Sequence, residues 1–163
     1  MSKPDYPVTP AIRLLREKGI EFVPHLYAYE AHGGTRASSR ELGVDEHAVI
    51  KTLVMETDAR SPLLVLMHGD KEVSTKQLAR TLGVKQVAPV SEATVTRLTG
   101  YMVGGCSPFG TRSRLHVYAE STIFKLPRIY INGGKRGFLV EIDPSDLRRA
   151  LDGVTEVEAA IDA

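Results

Sequence analysis

Apolar residues follow two different spacings along this chain, and their alternation predicts a mixed α/β fold. Apolar positions three and four residues apart indicate short helices, most of them with a capping residue before the helix and all with a glycine at or shortly after its end. Runs rich in Val, Ile, Leu and Thr indicate strands. The predicted helices span residues 10–18, 36–42, 75–82, 92–99 and 147–151. The predicted strands span residues 20–29, 49–56, 63–69, 85–90, 115–120 and the two arms of 128–142.

The order of these elements argues against a purely parallel sheet. Several strands follow one another with no helix between them, whereas parallel neighbours need a crossover connection. The segment NGGKRG (132–137) predicts the turn of a hairpin, and Pro24 predicts an edge strand or a bulge. We therefore expect one domain over residues 1–163, with a mixed sheet or partly closed barrel and peripheral helices.

Composition narrows the class of protein. The 163 residues are 42% hydrophobic and 25% charged, as in ordinary globular domains. No apolar run approaches the roughly 20 residues of a membrane helix, and the N-terminus lacks a signal-peptide core. Cys106 is the only cysteine, so a disulfide within the chain is excluded. We expect a cytoplasmic protein with no membrane partner, no metal and no other cofactor.

Charge is unevenly distributed, although the net charge is only +1. Residues 112–149 contain eight basic and four acidic side chains. This stretch could bind a polyanion such as a nucleic acid, or it could be an ordinary solvated face.

The segment TGYMVGGCSPFGTR (99–112) places two adjacent glycines and the lone cysteine in one loop. Adjacent glycines indicate unusual backbone angles or a close approach by the chain itself or by a ligand. The loop lacks the lysine of a phosphate-binding P-loop, so nucleotide hydrolysis is not favoured. Cys106 could be a nucleophile, but a lone cysteine is more often a small buried apolar residue.

Lys51 interrupts an apolar strand, VIKTLVME. Strand alternation places it on the face that carries Leu53 and Met55. If that face is buried, the ammonium needs a partner, a cleft or an anionic ligand. Alternatively, Lys51 lies at an edge with its stem on apolar surface and its head in water.

Five segments in this order resemble the YbaK/EbsC family of the prolyl-tRNA synthetase associated domain superfamily: TPAIRLL, HLY, VIKTLV, TGYMVGGCSPFG and IYINGGKRG. The resemblance covers roughly residues 9–152. It implies a highly curved mixed sheet of six or seven strands flanked by helices. It also implies a trans-editing deacylase that hydrolyses mischarged tRNA, with Cys-tRNA(Pro) as the substrate and prolyl-tRNA synthetase as a possible partner.

The resemblance assigns roles to particular residues. It implies that Lys51, Gly104 and Gly105 are catalytic, with the lysine ammonium and the two glycine amides converging on the acyl–ribose linkage. It also implies the following substrate-binding residues: Tyr27, Tyr29, Thr52, Ser107, Asn132, Gly133, Gly134, Lys135 and Arg136. Tyr29 could replace Tyr27 if the loop register shifts.

Two positions depart from the family pattern, which has serine at position 132 and aspartate at position 139. This chain has Asn132 and Leu139 there, so its amino-acid preference could differ. Two other functions stay open: an adaptor of the same fold that binds aminoacyl-tRNA or a synthetase without catalysis, and a hydrolase that uses Cys106. For the deacylase, either water or the thiol of the substrate cysteine could attack the ester.

Overall fold

The computed structural model describes residues 5–163; residues 1–4, which belong to the segment expected to lack a signal-peptide core, lie outside the described residues. The helices are α1 (Pro10–Glu17), α2 (Gly34–Leu42), α3 (Thr75–Leu82), α4 (Glu92–Thr99) and α5 (Asp146–Ala150). The strands are β1 (Val23–Leu26), β2 (Val49–Thr57), β3 (Pro62–His68), β4 (Lys71–Val73), β5 (Val87–Pro89), β6 (Val117–Glu120), β7 (Ile129–Lys135), β8 (Phe138–Ile142), β9 (Val154–Val157) and β10 (Ala160–Asp162). Two 3₁₀ turns span Glu46–Ala48 and Ser121–Lys125.

Eight strands form one mixed sheet in the order β1-β8-β7-β2-β3-β6-β9, with β5 paired to β2 outside this path. The β7–β2, β3–β6 and β6–β9 pairs are parallel, and the other pairs are antiparallel. The path ends at β1 and β9 within the described residues, so the sheet is open. The predicted mixed sheet flanked by helices is confirmed. Strands β4 and β10 form a separate antiparallel pair.

The sheet buries both of its faces. One core gathers α1, α4 and α5 against one face and includes Ile50 and Val54 of β2. A smaller core places α3 against the other face and includes Met55 of β2, with Leu53 packed against it. Successive β2 side chains therefore enter different cores, as the two-residue repeat of a strand requires. Lys51 belongs to the face of Leu53 and Met55.

Local signals set most helix boundaries. Thr9, Ser74 and Ser91 accept hydrogen bonds from backbone amides in the first turns of α1, α3 and α4. Gly83 and Gly100 end α3 and α4 in the left-handed conformation.

The structure changes the predicted strands in two respects. The strand predicted over 20–29 is shorter, because only Val23–Leu26 pairs with β8, and it lies at the sheet edge that Pro24 predicted. The short strands β4, β9 and β10 were not predicted. Within residues 5–163, no helix has the length and apolar character needed to cross a bilayer.

Candidate functional site

The candidate site lies along an unpaired stretch of β2. One edge of β2 pairs with β3 from Ile50 to Glu56. The other edge pairs with β7 only at Val49 and Ile50, and with β5 only from Met55 onward. Between these contacts, residues 51–53 have no strand partner on that side within the described chain, and the Val54 carbonyl accepts from the Val90 N–H at 3.3 Å. An unpaired strand edge presents backbone N–H and C=O groups to whatever occupies the gap.

Two cavities, of about 420 and 460 Å³, open onto this gap. Volumes of this size are typical of small-molecule sites. The first continues between β2, β4, β5, α3 and α4, and the second continues toward α2 and the β7–β8 hairpin. Both cavities are lined by Lys51, Thr52, Leu53, Glu92, Val103, Gly104 and Cys106. The strand with the predicted lysine and the predicted glycine loop therefore form one wall.

A larger cavity, of about 710 Å³, lies on another part of the molecule between α1, β1 and α5. It contains none of the predicted site residues. Two of its basic side chains already have partners: Arg16 donates to the Tyr6 hydroxyl at 2.9 Å, and Arg128 pairs with Glu141 at 3.1 Å. The chemistry expected from the sequence therefore belongs to the β2 gap and not to this cavity.

Lys51 is half-buried, and its Nζ donates to the Lys71 carbonyl of β4. Burial lowers the Lys51 pKa below its ordinary value, because the ammonium loses water. The carboxylates of Glu72, Glu46 and Asp70 act in the opposite direction. Of the two alternatives for this lysine, the cleft with polar partners is the one observed.

Thr52 carries a buried hydroxyl with no hydrogen-bond partner, the only such side-chain atom found in residues 5–163. A buried polar atom without a partner is destabilising, and a polar group of a ligand could satisfy it. Because Thr52 lines both cavities, it stands where a substrate would pass. Its role in substrate binding stays a prediction.

The two adjacent glycines of the loop are required for different reasons. Gly104 has φ +89°, and a Cβ there would lie 2.8 Å from the Tyr29 hydroxyl oxygen. A Cβ on Gly105 would lie 2.7 Å from the backbone nitrogen of Arg136. The Gly105 N–H donates to the Met102 carbonyl at 2.9 Å. This second amide is therefore engaged within its own turn in this structure, and the catalytic role of Gly105 stays a prediction.

Four further predicted substrate-binding residues line the second cavity. Tyr27, Tyr29, Asn132 and Arg136 all line it. The Arg136 guanidinium lies 5.1 Å from the centre of the Tyr29 ring and donates to the Val103 carbonyl at 2.9 Å. The Asn132 Nδ2 donates to the Gly104 carbonyl at 3.2 Å. These contacts connect the hairpin to the glycine loop.

Four of the predicted substrate-binding residues lie outside both cavity walls. Ser107 is fully buried, and its hydroxyl accepts the Phe109 N–H at 3.2 Å. A Cβ on Gly133 would collide with Phe138, and one on Gly134 would collide with Tyr101. Ser107, Gly133 and Gly134 thus have packing roles in this structure.

Lys135, the fourth, is exposed at the hairpin, where it could meet substrate only outside the cavities.

Cys106 lines both cavities, yet its chemistry does not favour a nucleophile. Burial raises the pKa of its thiol to about 11, so the thiolate is scarce at neutral pH. In residues 5–163, no cluster of three His, Cys, Asp or Glu side chains could hold a metal ion. An activated cysteine is thus not supported by its surroundings.

Several wall residues had no signal in the sequence. Glu92 follows the Ser91 cap and lines both cavities, and Glu72 lines the first. His32 lines the second cavity with φ +61°, a left-handed conformation uncommon for residues other than glycine. Only the tertiary fold brings these side chains to the gap.

Comparison with known proteins agrees with this geometry. The family model for the aminoacyl-tRNA editing domain matches residues 32–150, which include β2, the glycine loop and the hairpin. The chain belongs to the aminoacyl-tRNA editing domain family. This confirms the resemblance to the YbaK/EbsC proteins.

Individual relatives of this editing domain share less than 30% of their residues with the chain in the two cases that follow. The chain is 27% identical over 146 residues to the Enterococcus faecalis protein named "Putative Cys-tRNA(Pro)/Cys-tRNA(Cys) deacylase EbsC", and the match covers 89% of each chain. It is 29% identical over 86 residues to a proline–tRNA ligase of Brachyspira hyodysenteriae, covering 53% of this chain and 15% of the ligase.

A solved structure described as "a putative trans-editing enzyme for prolyl tRNA synthetase" superimposes with a TM-score of 0.77. It covers 93% of this chain and 99% of that chain at 21% identity, so this likeness concerns the fold alone.

Proposed function

We propose that this editing domain is a trans-acting deacylase that hydrolyses the ester of mischarged tRNA, with Cys-tRNA(Pro) as the preferred substrate. One observation carries the proposal: Lys51 and Gly104 line the same two cavities at the unpaired edge of β2. The similarity to the Enterococcus protein supports the choice of Cys-tRNA(Pro) as the first substrate to test. Mischarged tRNA is made in the cytoplasm, where we place the activity.

An aminoacyl ester is already activated, so positioning and charge stabilisation could supply most of the catalysis. Lys51, as a cation, binds the terminal phosphate or a ribose–carbonyl oxygen. The Gly104 N–H has no hydrogen bond to another residue of 5–163 and is the amide we assign to the acyl carbonyl. Acting as a general base at pH 7 would require Lys51 to lose roughly 3 pKa units, or about 4 kcal/mol, which an anionic substrate opposes.

Either of two nucleophiles, water or the thiol of the substrate cysteine, can cleave this ester. Water adds to the carbonyl carbon, the bond to the ribose oxygen breaks, and the products are free amino acid and tRNA. Alternatively, the thiol of the substrate cysteine attacks its own carbonyl, and its proton passes to the departing ribose oxygen. This alternative route releases the tRNA and forms a four-membered thiolactone, which water then opens to free cysteine. Cys106 takes no part in either route.

The acceptor end of the tRNA is assigned to the hairpin side of the gap. Among the basic residues of 112–149, four form ion pairs: Arg114, Arg128, Arg148 and Arg149. Arg136 instead lies on the cavity wall with exposed Lys135 beside it. These two side chains are the ones we assign to phosphate.

The experiment that tests this function is loss of the ester bond from a panel of mischarged tRNAs, with and without prolyl-tRNA synthetase. The panel contains Cys-, Ala- and Ser-tRNA(Pro) and correctly charged Pro-tRNA(Pro). We expect rapid loss of the cysteinyl ester and none of the prolyl ester. Slow loss of Ser-tRNA(Pro) beside fast loss of Cys-tRNA(Pro) supports attack by the substrate thiol.

Stoichiometric binding of these tRNAs without turnover would replace the deacylase with the adaptor.

A further inference from the structure

The turn between β3 and β4 comes directly before the backbone carbonyl that accepts from the Lys51 ammonium. We call residues Gly69 and Asp70 the β3–β4 turn. Directly after it comes Lys71, whose carbonyl accepts the hydrogen bond from Lys51 Nζ. The side chain of Lys71 points elsewhere and pairs with Asp162 at 2.6 Å. Any displacement of the turn therefore moves the acceptor of Lys51.

The backbone of the β3–β4 turn is held by two neighbouring elements. The Gly69 N–H donates to the Val49 carbonyl at 2.7 Å, at the start of β2. The Thr35 hydroxyl of α2 lies 2.8 Å from a Glu46 carboxylate oxygen and 3.2 Å from the Gly69 carbonyl oxygen, and its single proton is shared between these two acceptors. A Cβ on Gly69 would lie 2.7 Å from the Glu46 carbonyl oxygen, so the two backbone segments are already in close contact here.

His47 holds the other residue of the turn. Its Nδ1 lies 2.8 Å from a carboxylate oxygen of Asp70. The His47 ring is stacked on His68, with ring centres 3.7 Å apart and planes 5° from parallel. His47 is therefore fixed both at its ring face and at one of its nitrogens.

His68 provides a rigid platform for that stack. It is 1% exposed, and burial lowers its pKa, so the ring is neutral. Its Nδ1 lies 2.7 Å from the His47 carbonyl, which can only accept, so this nitrogen carries the proton. Its Nε2 then accepts from the Thr122 hydroxyl at 2.7 Å. Every polar atom of the buried ring is satisfied.

We propose that His47, acting through Asp70, is a positioning residue for Lys51. The inference rests on the proposed function, because that function makes Lys51 the catalytic cation. Neither His47 nor Asp70 lines either cavity, so they act on the substrate only through Lys51. His47 holds Asp70, the turn holds the Lys71 carbonyl, and that carbonyl directs the ammonium toward the gap.

The first test compares three histidine variants with the wild type in steady-state deacylation over a series of substrate concentrations. His47→Ala is expected to lower kcat on the order of tenfold with little change in KM, because a misplaced catalytic group loses rate before it loses binding. His47→Asn keeps an N–H near the position of Nδ1 and should recover most of the loss. His116→Ala is the matched control, because it removes a 2.7 Å bond to Thr155 away from both cavities.

The second test measures the Lys51 titration directly, by NMR of ¹³Cε-labelled lysine. Asp70 is one of three carboxylates that raise the Lys51 pKa, with Glu72 and Glu46. Asp70→Asn removes one of them and should move the Lys51 titration to lower pH. If the cation is required, the decline of kcat at high pH moves in the same direction. A role of Asp70 in stability alone would leave both curves in place.

The outcomes separate this inference from the proposed function. Unchanged kcat in folded His47→Ala and an unchanged Lys51 titration in Asp70→Asn would overturn the positioning role while deacylation stands. If His47→Ala does not fold, His47→Asn and Asp70→Asn decide. If the wild type has no deacylase activity, the NMR titration still reports whether Asp70 acts on Lys51, whereas the catalytic meaning is lost with the function.

Discussion

The glycine loop lines the gap, whereas the β3–β4 turn lies outside both cavities and precedes the carbonyl that accepts from Lys51. Different contacts fix the two segments. The glycine loop, residues 102–106, is placed by close backbone packing of Gly105 against Arg136 of the hairpin, together with hydrogen bonds from the Asn132 and Arg136 side chains to its carbonyls. The β3–β4 turn is placed by side-chain hydrogen bonds from Thr35 and His47. A loop fixed by packing tolerates no added atom. In the β3–β4 turn, Gly69 likewise has no room for a Cβ, whereas Asp70 is held by its hydrogen bond to His47 and is sensitive to the loss of its charge.

The largest effect on activity is expected at Lys51, which lies beside Gly104 of the glycine loop in both cavities and is held by the carbonyl that follows the β3–β4 turn. Lys51→Met keeps the length and apolar stem but removes the charge, so kcat/KM should fall on the order of 100-fold. Stability should be retained or slightly raised, because a half-buried ammonium is lost. Deacylation kinetics and urea unfolding measure the two effects, with Lys51→Arg as the charged control. Turnover that persists in Lys51→Met would remove this lysine from the mechanism.

The two glycines of the loop should respond differently to the same added methyl group. In Gly105→Ala the new atom meets backbone, which cannot move aside, and unfolding free energy should fall by about 1–3 kcal/mol. In Gly104→Ala the alanine must adopt φ +89°, which is strained, and its methyl meets the hydroxyl end of Tyr29, so stability also falls. The loss of activity should exceed the loss of stability, because Gly104 lines both cavities. Urea unfolding and kcat/KM of both variants measure this contrast. Equal profiles for the two variants would contradict the different roles.

A smaller effect is expected at Arg136, which borders the glycine loop. If it contacts phosphate, Arg136→Ala should reduce the slope of log affinity for tRNA against log salt by about 1. Arg148→Ala should leave the slope unchanged, because Arg148 pairs with Glu156 on another face. Fluorescence anisotropy over a series of salt concentrations measures both slopes. Identical slopes in wild type and Arg136→Ala would exclude this phosphate contact.

The smallest effect is expected at Cys106. Its thiol pKa of about 11 leaves little thiolate at neutral pH. Cys106→Ala should therefore keep deacylation within about twofold of wild type, since an unactivated thiol is a poor nucleophile. Loss of turnover in a folded Cys106→Ala variant would revive the cysteine hydrolase.

Sequence reasoning succeeded where the signal is local. Thr9, Ser74 and Ser91 are helix caps because their side chains accept from amides three residues further on. It failed for β4, β9 and β10, which are three or four residues long and exist because other strands pair with them. Such short segments carry too few residues for a periodic pattern.

The candidate site was predicted in part for the same reason. Lys51 was conspicuous because a charge inside an apolar strand is unusual. The glycine pair was conspicuous because adjacent glycines indicate unusual backbone angles or a close approach by another group. Glu92 and His47 carried no local signal. Their proximity to the gap or to Asp70 depends on contacts between segments far apart in the chain.

By itself, the sequence determined the helices, the longer strands, the mixed character of the sheet and the family resemblance, because capping residues and side-chain periodicity act over a few positions. The tertiary structure alone decided that one edge of β2 lacks a strand partner at Lys51 and that the Gly105 N–H donates to a carbonyl of its own turn. It also decided that a carbonyl from β4 receives the ammonium. These features depend on where distant backbones meet, which no stretch of a few residues encodes.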